Sequence, residues 1–219
     1  MQIELAPLER KERYKLIAGF IVPRPIALVT TRNAAGLDNA APFSAFNYMS
    51  EDPPIVALGL QVHPDESPKA GQPKDTTRNI HDNGEFVVNL VDEALAEAMN
   101  ICSIDFPPDE SEIAAAGLTL APSIAIQPKR IVEAPIAMEC RRLTTLEFGS
   151  FRSIVLGEIL WMHVRDGLVD PKTLRVSEDA WRPVGRIFGS LYTRTNDRFE
   201  MRRLPYEEWR RKTRAAAKP

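Results

Sequence analysis

Apolar residues in this chain come in short runs of strand length, cut off by Pro, Gly and Asn, and helical stretches fall between them without a regular beat. Ile26–Thr31, Ile55–Leu60 and Phe86–Leu90 are runs of five or six residues rich in β-branched side chains, too short for buried helices and the right length for strands. A parallel α/β sheet needs a helix after nearly every strand, because each crossover must return the chain to the same edge. The order here is strand, strand, strand, helix, strand, helix. That order predicts a mainly β protein, an antiparallel barrel-like sheet with α additions.

Along the chain, a short helix is predicted around Leu8–Ile17, ended by Pro23 and Pro25, which cannot continue it. The first strand follows, and NAAGLDN reverses the chain into a second extended stretch from Asn39 that stops at Asp52-Pro53-Pro54. These two segments are predicted to form one hairpin. Phe43 and Phe46, three residues apart, should then face opposite sides of one strand. After Ile55–Leu60, a loop rich in Pro and Gly leads to Asp75 or Thr76, either a suitable N-cap for a helix to about Asn83. Asn83-Gly84 turns into Phe86–Leu90, and Asp92 should cap a helix over Glu93–Asn100. Residues 103–123 read as a surface excursion with a helical turn near Ser111–Ala116. Ile131–Phe148 and Ser153–Val164 are predicted as two long strands meeting near Gly149, with apolar residues alternating through Ile154, Leu156, Ile159 and Trp161. Asp166–Ser190 reads as irregular, and Pro205 introduces a last helix over about residues 205–217.

At 219 residues the chain can bury one substantial core, and a single domain over 1–219 is expected. Its 28 basic and 30 acidic side chains leave a formal charge of −2, which argues against a nucleic-acid-binding surface. The charge is uneven: from Arg198 onward there are eight basic and three acidic residues, read as a solvated terminal helix. Cys102 and Cys140 have neither disulfide-framework nor metal-ligand spacing, so a reducing cytoplasm is expected, with both thiols filling apolar gaps. His63, His81 and His163 are scattered over a loop, a helix and a strand, which gives no metal-site pattern. The charged N-terminus has no secretion-signal core, and no stretch is long and apolar enough to cross a bilayer, so a soluble protein without a membrane partner is expected. There is no GxGxxG, GxxxxGK[ST] or GxSxG, so Rossmann dinucleotide binding, P-loop chemistry and an esterase elbow find no support.

Three separated stretches carry the chemistry: RPIALVTT (24–31), NAAPFSAFN (39–47) and KDTTRN (74–79). Strands built from small residues let backbone amides approach the edge of a flat ring. A helix start with Lys, Thr and an adjacent Arg suits a phosphate dianion. Together they predict a phosphorylated, flat-ringed ligand, read here as flavin mononucleotide. Taken alone, Lys74-Asp75 reads as a solvated loop pair with Asp75 merely capping, and the hairpin residues as ordinary filling; the three stretches together favour the ligand.

In order and spacing, RPIALVTT, NAAPFSAFN followed by PP, and KDTTRNI followed by FVVNLV resemble the flavin reductase-like family of FMN-binding split β-barrels, over about residues 20–195. The resemblance implies a homodimer with FMN near the subunit interface, its ring against the first hairpin and its phosphate near Lys74. Carried onto this sequence, Lys74, Thr76 and Asn79 are implied as phosphate or ribityl contacts, with Arg24 as a second positive group. Thr30, Thr31, Ser44, Ala45, Phe46 and Asn47 are implied as the wall around the ring. FGSFRSIVLGEI resembles the family's cleft segment, although Arg152 stands where relatives often carry His; a solvent-facing Arg is the alternative. GRIFGSLYTR resembles a late glycine-and-tyrosine element, with Tyr192 either a cleft lid or a packing residue.

The implied activity is an FMN-dependent oxidoreductase, an NAD(P)H:flavin reductase or a related reductase that passes electrons from NADH or NADPH to a small-molecule acceptor or free flavin. In such a protein the flavin carries the hydride step, so no catalytic acid or base is required of the chain. A monooxygenase or other electron-transfer partner is a further expectation. The alternative is a flavin-binding electron carrier without its own nicotinamide site.

Overall fold

The computed structural model describes residues 1–107 and 110–216. Helix α1 (Arg10–Phe20) begins two residues later than the sequence predicts. The Glu9 amide donates to Glu12 Oε2 at 2.9 Å, the return half of a capping box that sets the start. Strands β1 (Ala27–Arg32), β2 (Asp38–Phe43), β3 (Phe46–Glu51) and β4 (Pro54–Gln61) come next, then α2 (Asp75–Asn83) and β5 (Glu85–Leu90). Two short helices, α3 (Ala96–Ile101) and α4 (Glu112–Ala115), precede the short strands β6 (Leu120–Ala121) and β7 (Arg130–Ile131). The long hairpin β8 (Ile136–Phe148) and β9 (Arg152–Val164) follows. Strands β10 (Val184–Arg186) and β11 (Tyr192–Arg194) and helix α5 (Tyr206–Ala216) complete the order; position 217, which the sequence reading also assigns to that helix, lies outside the described residues.

Seven strands form one sheet in the order β2-β1-β5-β8-β9-β4-β3, and every pairing in it is antiparallel. The two outermost strands, β2 and β3, are joined by only Ser44 and Ala45. A two-residue link between opposite edges requires the sheet to curl until those edges meet at one end, which gives a split-barrel shape. The predicted single hairpin is therefore corrected. β2 pairs with β1, whereas β3 pairs with β4. At the corner the Gly59 amide donates to the Ala45 carbonyl at 2.7 Å, and a Cβ on Gly59 would stand 2.8 Å from Ala45 Cβ. Because the strand breaks there, Phe43 and Phe46 do not take opposite faces: both pack on the same core.

That core fills the inside of the curl with Ala27, Val29, Val56, Leu58, Leu60, Phe86, Val88, Met138, Cys140 and Val155, closed at one end by Ile80 of α2. A second cluster gathers Leu28, Val91, Leu95, Met99, Cys102, Ile113 and Ile131 on the other face of β1. Strand β1 is thus buried on both faces, which explains its unbroken apolar run.

Three further expectations shift. The long strand starts at Ile136, after Pro135, and Arg130–Ile131 pairs separately with β6, since Pro cannot donate to a ladder. Asp166–Ser190 is not wholly irregular: Val184–Arg186 pairs with Tyr192–Arg194. Asp92 does cap a chain reversal, its Oδ1 accepting from the Leu95 amide at 3.1 Å, but α3 begins only at Ala96. Both cysteines are free and buried.

Candidate flavin site

A long groove of about 2660 Å³ runs between α1, the β2–β3 corner, the outer face of β4 and the N-terminus of α2. Its floor follows from strand alternation. In β4 the residues Val56, Leu58 and Leu60 point into the core, leaving Ala57, Gly59 and Gln61 for the outer face. Asn47 of β3 pairs with Ala57, and Arg152 of β9 pairs with Gln61; all four line the groove. Ser44, Ala45 and Phe46 line it at the corner.

At the other end stands α2. Its N-cap is Lys74, not Asp75 or Thr76, and no side chain caps it. First-turn amides of α2 therefore lack a side-chain acceptor, and a helix start in that condition suits an anion. Lys74 Nζ lies 3.8 Å from Asp105, whose side chain is 88% exposed; such a pair binds weakly. Asp75 is occupied by Arg78 of the same helix. Nearby, burial lowers the pKa of His63, and the charges of Lys74 and Lys69 lower it further, so this end of the groove disfavours another cation.

The corner and the helix start are tied together. The Asn39 side-chain amide lies 3.0 Å from Thr76 Oγ1, and Asn79 Nδ2 donates to Thr31 Oγ1 at 3.0 Å. Thr76 and Asn79 line the groove, whereas Thr30 and Thr31 are wholly buried outside that lining. Thr30 Oγ1 donates to the Lys129 carbonyl at 2.6 Å. These two threonines brace the wall from behind. Arg24 lines the groove with its guanidinium already engaged: it donates to the carbonyls of Ala18, Ile21 (2.7 Å) and Ile187 (2.6 Å) and approaches Ser44 Oγ at 3.4 Å. It fixes the end of α1 and the position of Ser44. Tyr192 is outside the groove, its hydroxyl 3.4 Å from Asn100 Oδ1 and its ring under Arg186.

Among the described residues no set of three or more His, Cys, Asp or Glu side chains is placed to hold a metal ion. Burial raises the Cys102 pKa to about 12, and Glu112 adds to that; burial pushes Cys140 up as well. Neither thiol has the character of a nucleophile.

A model of the flavin reductase-like domain matches residues 19–184. The chain belongs to the flavin reductase-like family. Among solved structures, this flavin reductase-like chain is similar to 2-nitrobenzoate 2-nitroreductase of Pseudomonas fluorescens, with 44% identity, a TM-score of 0.84, and 94% of this chain and 98% of that one covered. It is also similar to nitrilotriacetate monooxygenase component B of Bacillus cereus, at 33% identity and TM-score 0.84, covering 92% and 98%. An uncharacterized protein of Deinococcus radiodurans is 41% identical over 212 residues, covering 94% of this chain and 91% of that protein.

Sequence reasoning missed the N-terminal wall of the groove. Arg10, Tyr14 and Ile17 of α1 line it, across from Phe148 and Phe151 of the FGSFRSIVLGEI segment. No local signal in RKERYKLI announces a cleft-facing helix, since only its packing against distant Phe151 and Phe188 sets that face.

Proposed function

We propose that the groove binds FMN, its phosphate held at Lys74 and the first-turn amides of α2, with Thr76 and Asn79 beside it. In this reading the isoalloxazine ring lies against Ser44, Ala45, Phe46 and Asn47. The observation that carries it is the shared groove of the β2–β3 corner and the uncapped α2 start, linked through Asn39 and Thr76. The residues fit the group: small side chains at the corner let backbone amides approach a flat ring, and an uncapped helix start with a weakly paired lysine suits a phosphate.

When bound, FMN would supply the redox chemistry between a nicotinamide donor, NADH or NADPH, and a small acceptor. The chain binds and orients. Lys74 fixes one end, the corner fixes the other, and Arg24 holds Ser44 in place. Orientation of this kind is how a protein without its own acid or base accelerates transfer. The function is that of an FMN-dependent NAD(P)H oxidoreductase with a small-molecule acceptor or free flavin. The similarity to a nitroreductase supports a small acceptor, and the similarity to a monooxygenase component supports an electron-transfer partner.

The groove is several times larger than a single-ligand pocket of about 300–1,000 Å³, which supports a homodimer whose second copy covers part of it. Tyr192, outside the groove of its own protomer, then has a place in the partner's cleft. No helix among the described residues is long and apolar enough to cross a membrane, and two free thiols fit a reducing cytoplasm. The test is the absorption spectrum of freshly purified protein, before and after NADH or NADPH. A flavin band that bleaches with the dinucleotide is expected. A flavin band that only another reduced protein bleaches would make the chain an electron carrier, and absence of any flavin affinity would end the proposal.

A further inference from the structure

Arg152 opens β9 on the groove floor, cross-strand from Phe148 and Gln61. Among the described residues its guanidinium has no hydrogen-bond or ion-pair partner; the Phe151 ring lies 5.6 Å away, with Tyr14 and Arg10 also within electrostatic reach. The same ring carries Arg10 at 3.7 Å, and Arg10 is already paired with Asp65 at 2.7 Å. Lys11 is likewise paired with Glu66. Arg152 is thus a half-buried cation on the groove floor with no anion beside it among the described residues, able to take one from a ligand. Burial lowers its pKa, Tyr14 opposes that, and Arg10 adds to the lowering.

The surroundings define the anion. Phe148, Phe151, Tyr14 and Ile154 line this end of the groove, an apolar wall beside the Arg152 fork, with the paired Arg10 stacked on the same Phe151 ring. Such a fork matches a carboxylate bidentately, and the wall matches a ring. Along β4, the Asn47 partner Ala57 and the Arg152 partner Gln61 are four residues apart, about 13 Å at the strand rise. A small ring placed between the Ala45–Gly59 corner and Arg152 bridges that span.

We propose that Arg152, with Phe148 and Phe151, forms a subsite for a monocyclic aromatic carboxylate. This names the class of second substrate for the groove and rests on the flavin reading above. A phosphate of the nicotinamide dinucleotide is the competing anion; Arg10, Lys11 and Arg13 line the same groove but are engaged by Asp65, Glu66 and the Leu8 and Ala6 carbonyls, which leaves Arg152, among the described residues, as the one unengaged cation here for a dianion that calls for more.

Calorimetric titration of the purified protein with benzoate and with its neutral isostere benzamide, with and without FMN, tests the proposal. Benzoate should bind at least about tenfold more tightly, as a charge-assisted bidentate pair requires. Arg152→Met should bring the two to parity, with FMN affinity and melting temperature kept. Equal binding of benzoate and benzamide to the parent protein would overturn the proposal, as would an Arg152→Met variant that retains the benzoate preference. A variant that loses only the 2′-phosphorylated dinucleotide would reassign the site to phosphate and overturn it equally. FMN affinity, read on the same samples, decides the flavin reading separately: parent protein that prefers benzoate without binding FMN keeps the subsite and ends that reading.

Discussion

Single residues divide into those that hold the scaffold and those left with capacity for a ligand. Glu139 is of the first kind. It is wholly buried in β8, and its carboxylate accepts from the amides of Ile124 and Ala125, both at 2.7 Å, and meets His163 Nε2 at 2.6 Å. Burial alone would raise its pKa, but the His163 contact and the two amides outweigh that and hold it below the ordinary 4.5. Its contribution to stability is therefore whole above the ordinary carboxyl range and fades as the pH falls through the lowered value. Glu139→Gln should cost about 1.5–3 kcal/mol near neutrality, and urea midpoints of parent and variant should converge in acid. A gap that stays constant as pH falls would contradict this. Lys74 is of the second kind. Lys74→Ala should weaken FMN binding by about 1.5–3 kcal/mol with an unchanged melt, measured by quenching of flavin fluorescence; unchanged affinity would remove Lys74 from the phosphate site.

At the scale of elements, the β2–β3 corner is what the sequence concealed. Residues 39–51 are uniformly extended in their local preferences, so a single strand was the natural reading. The break at Ser44–Ala45 exists because the sheet curls until Gly59 meets Ala45, a contact between residues fourteen apart that no local pattern records. The elements fixed by local chemistry were legible: β1 from its apolar run, α2 from its polar start and Gly84 end, and the helical turn near Ser111–Ala116, where α4 forms and the Ser111 side chain accepts from the Ala114 amide. Residues of the second and third motifs, 39–47 and 74–79, do line one groove, and the first reaches it only through Arg24 and Pro25; the burial of Thr30 and Thr31 was not legible, because β1 is covered on both faces. Gly59→Ala places its Cβ against Ala45 Cβ. It should cost about 1–3 kcal/mol and loosen FMN, and Ala45→Gly in the same chain should restore both, as read by thermal melts and flavin titration. A Gly59→Ala protein as stable as the parent would show that the corner tolerates separation.

At the scale of the whole molecule, a wide groove and an exposed apolar surface belong together. Tyr48, Met49, Leu143, Leu146 and Trp161 are all exposed around the curled sheet, more apolar surface than a solitary protomer usually presents. Sedimentation of a dilute sample should return twice the 24.6 kDa chain mass, and dilution into the monomer should release flavin. A monomer that keeps tight FMN would contradict the shared cleft. The central claim, that the strand corner and the α2 start grip the two ends of one coenzyme, is tested most directly by the structure of crystals grown with FMN. The expected density has the phosphate within hydrogen-bond distance of Lys74 Nζ and the first-turn amides of α2, with the ring against Ser44–Asn47. Density for FMN anywhere that leaves Lys74 and the corner untouched would contradict it.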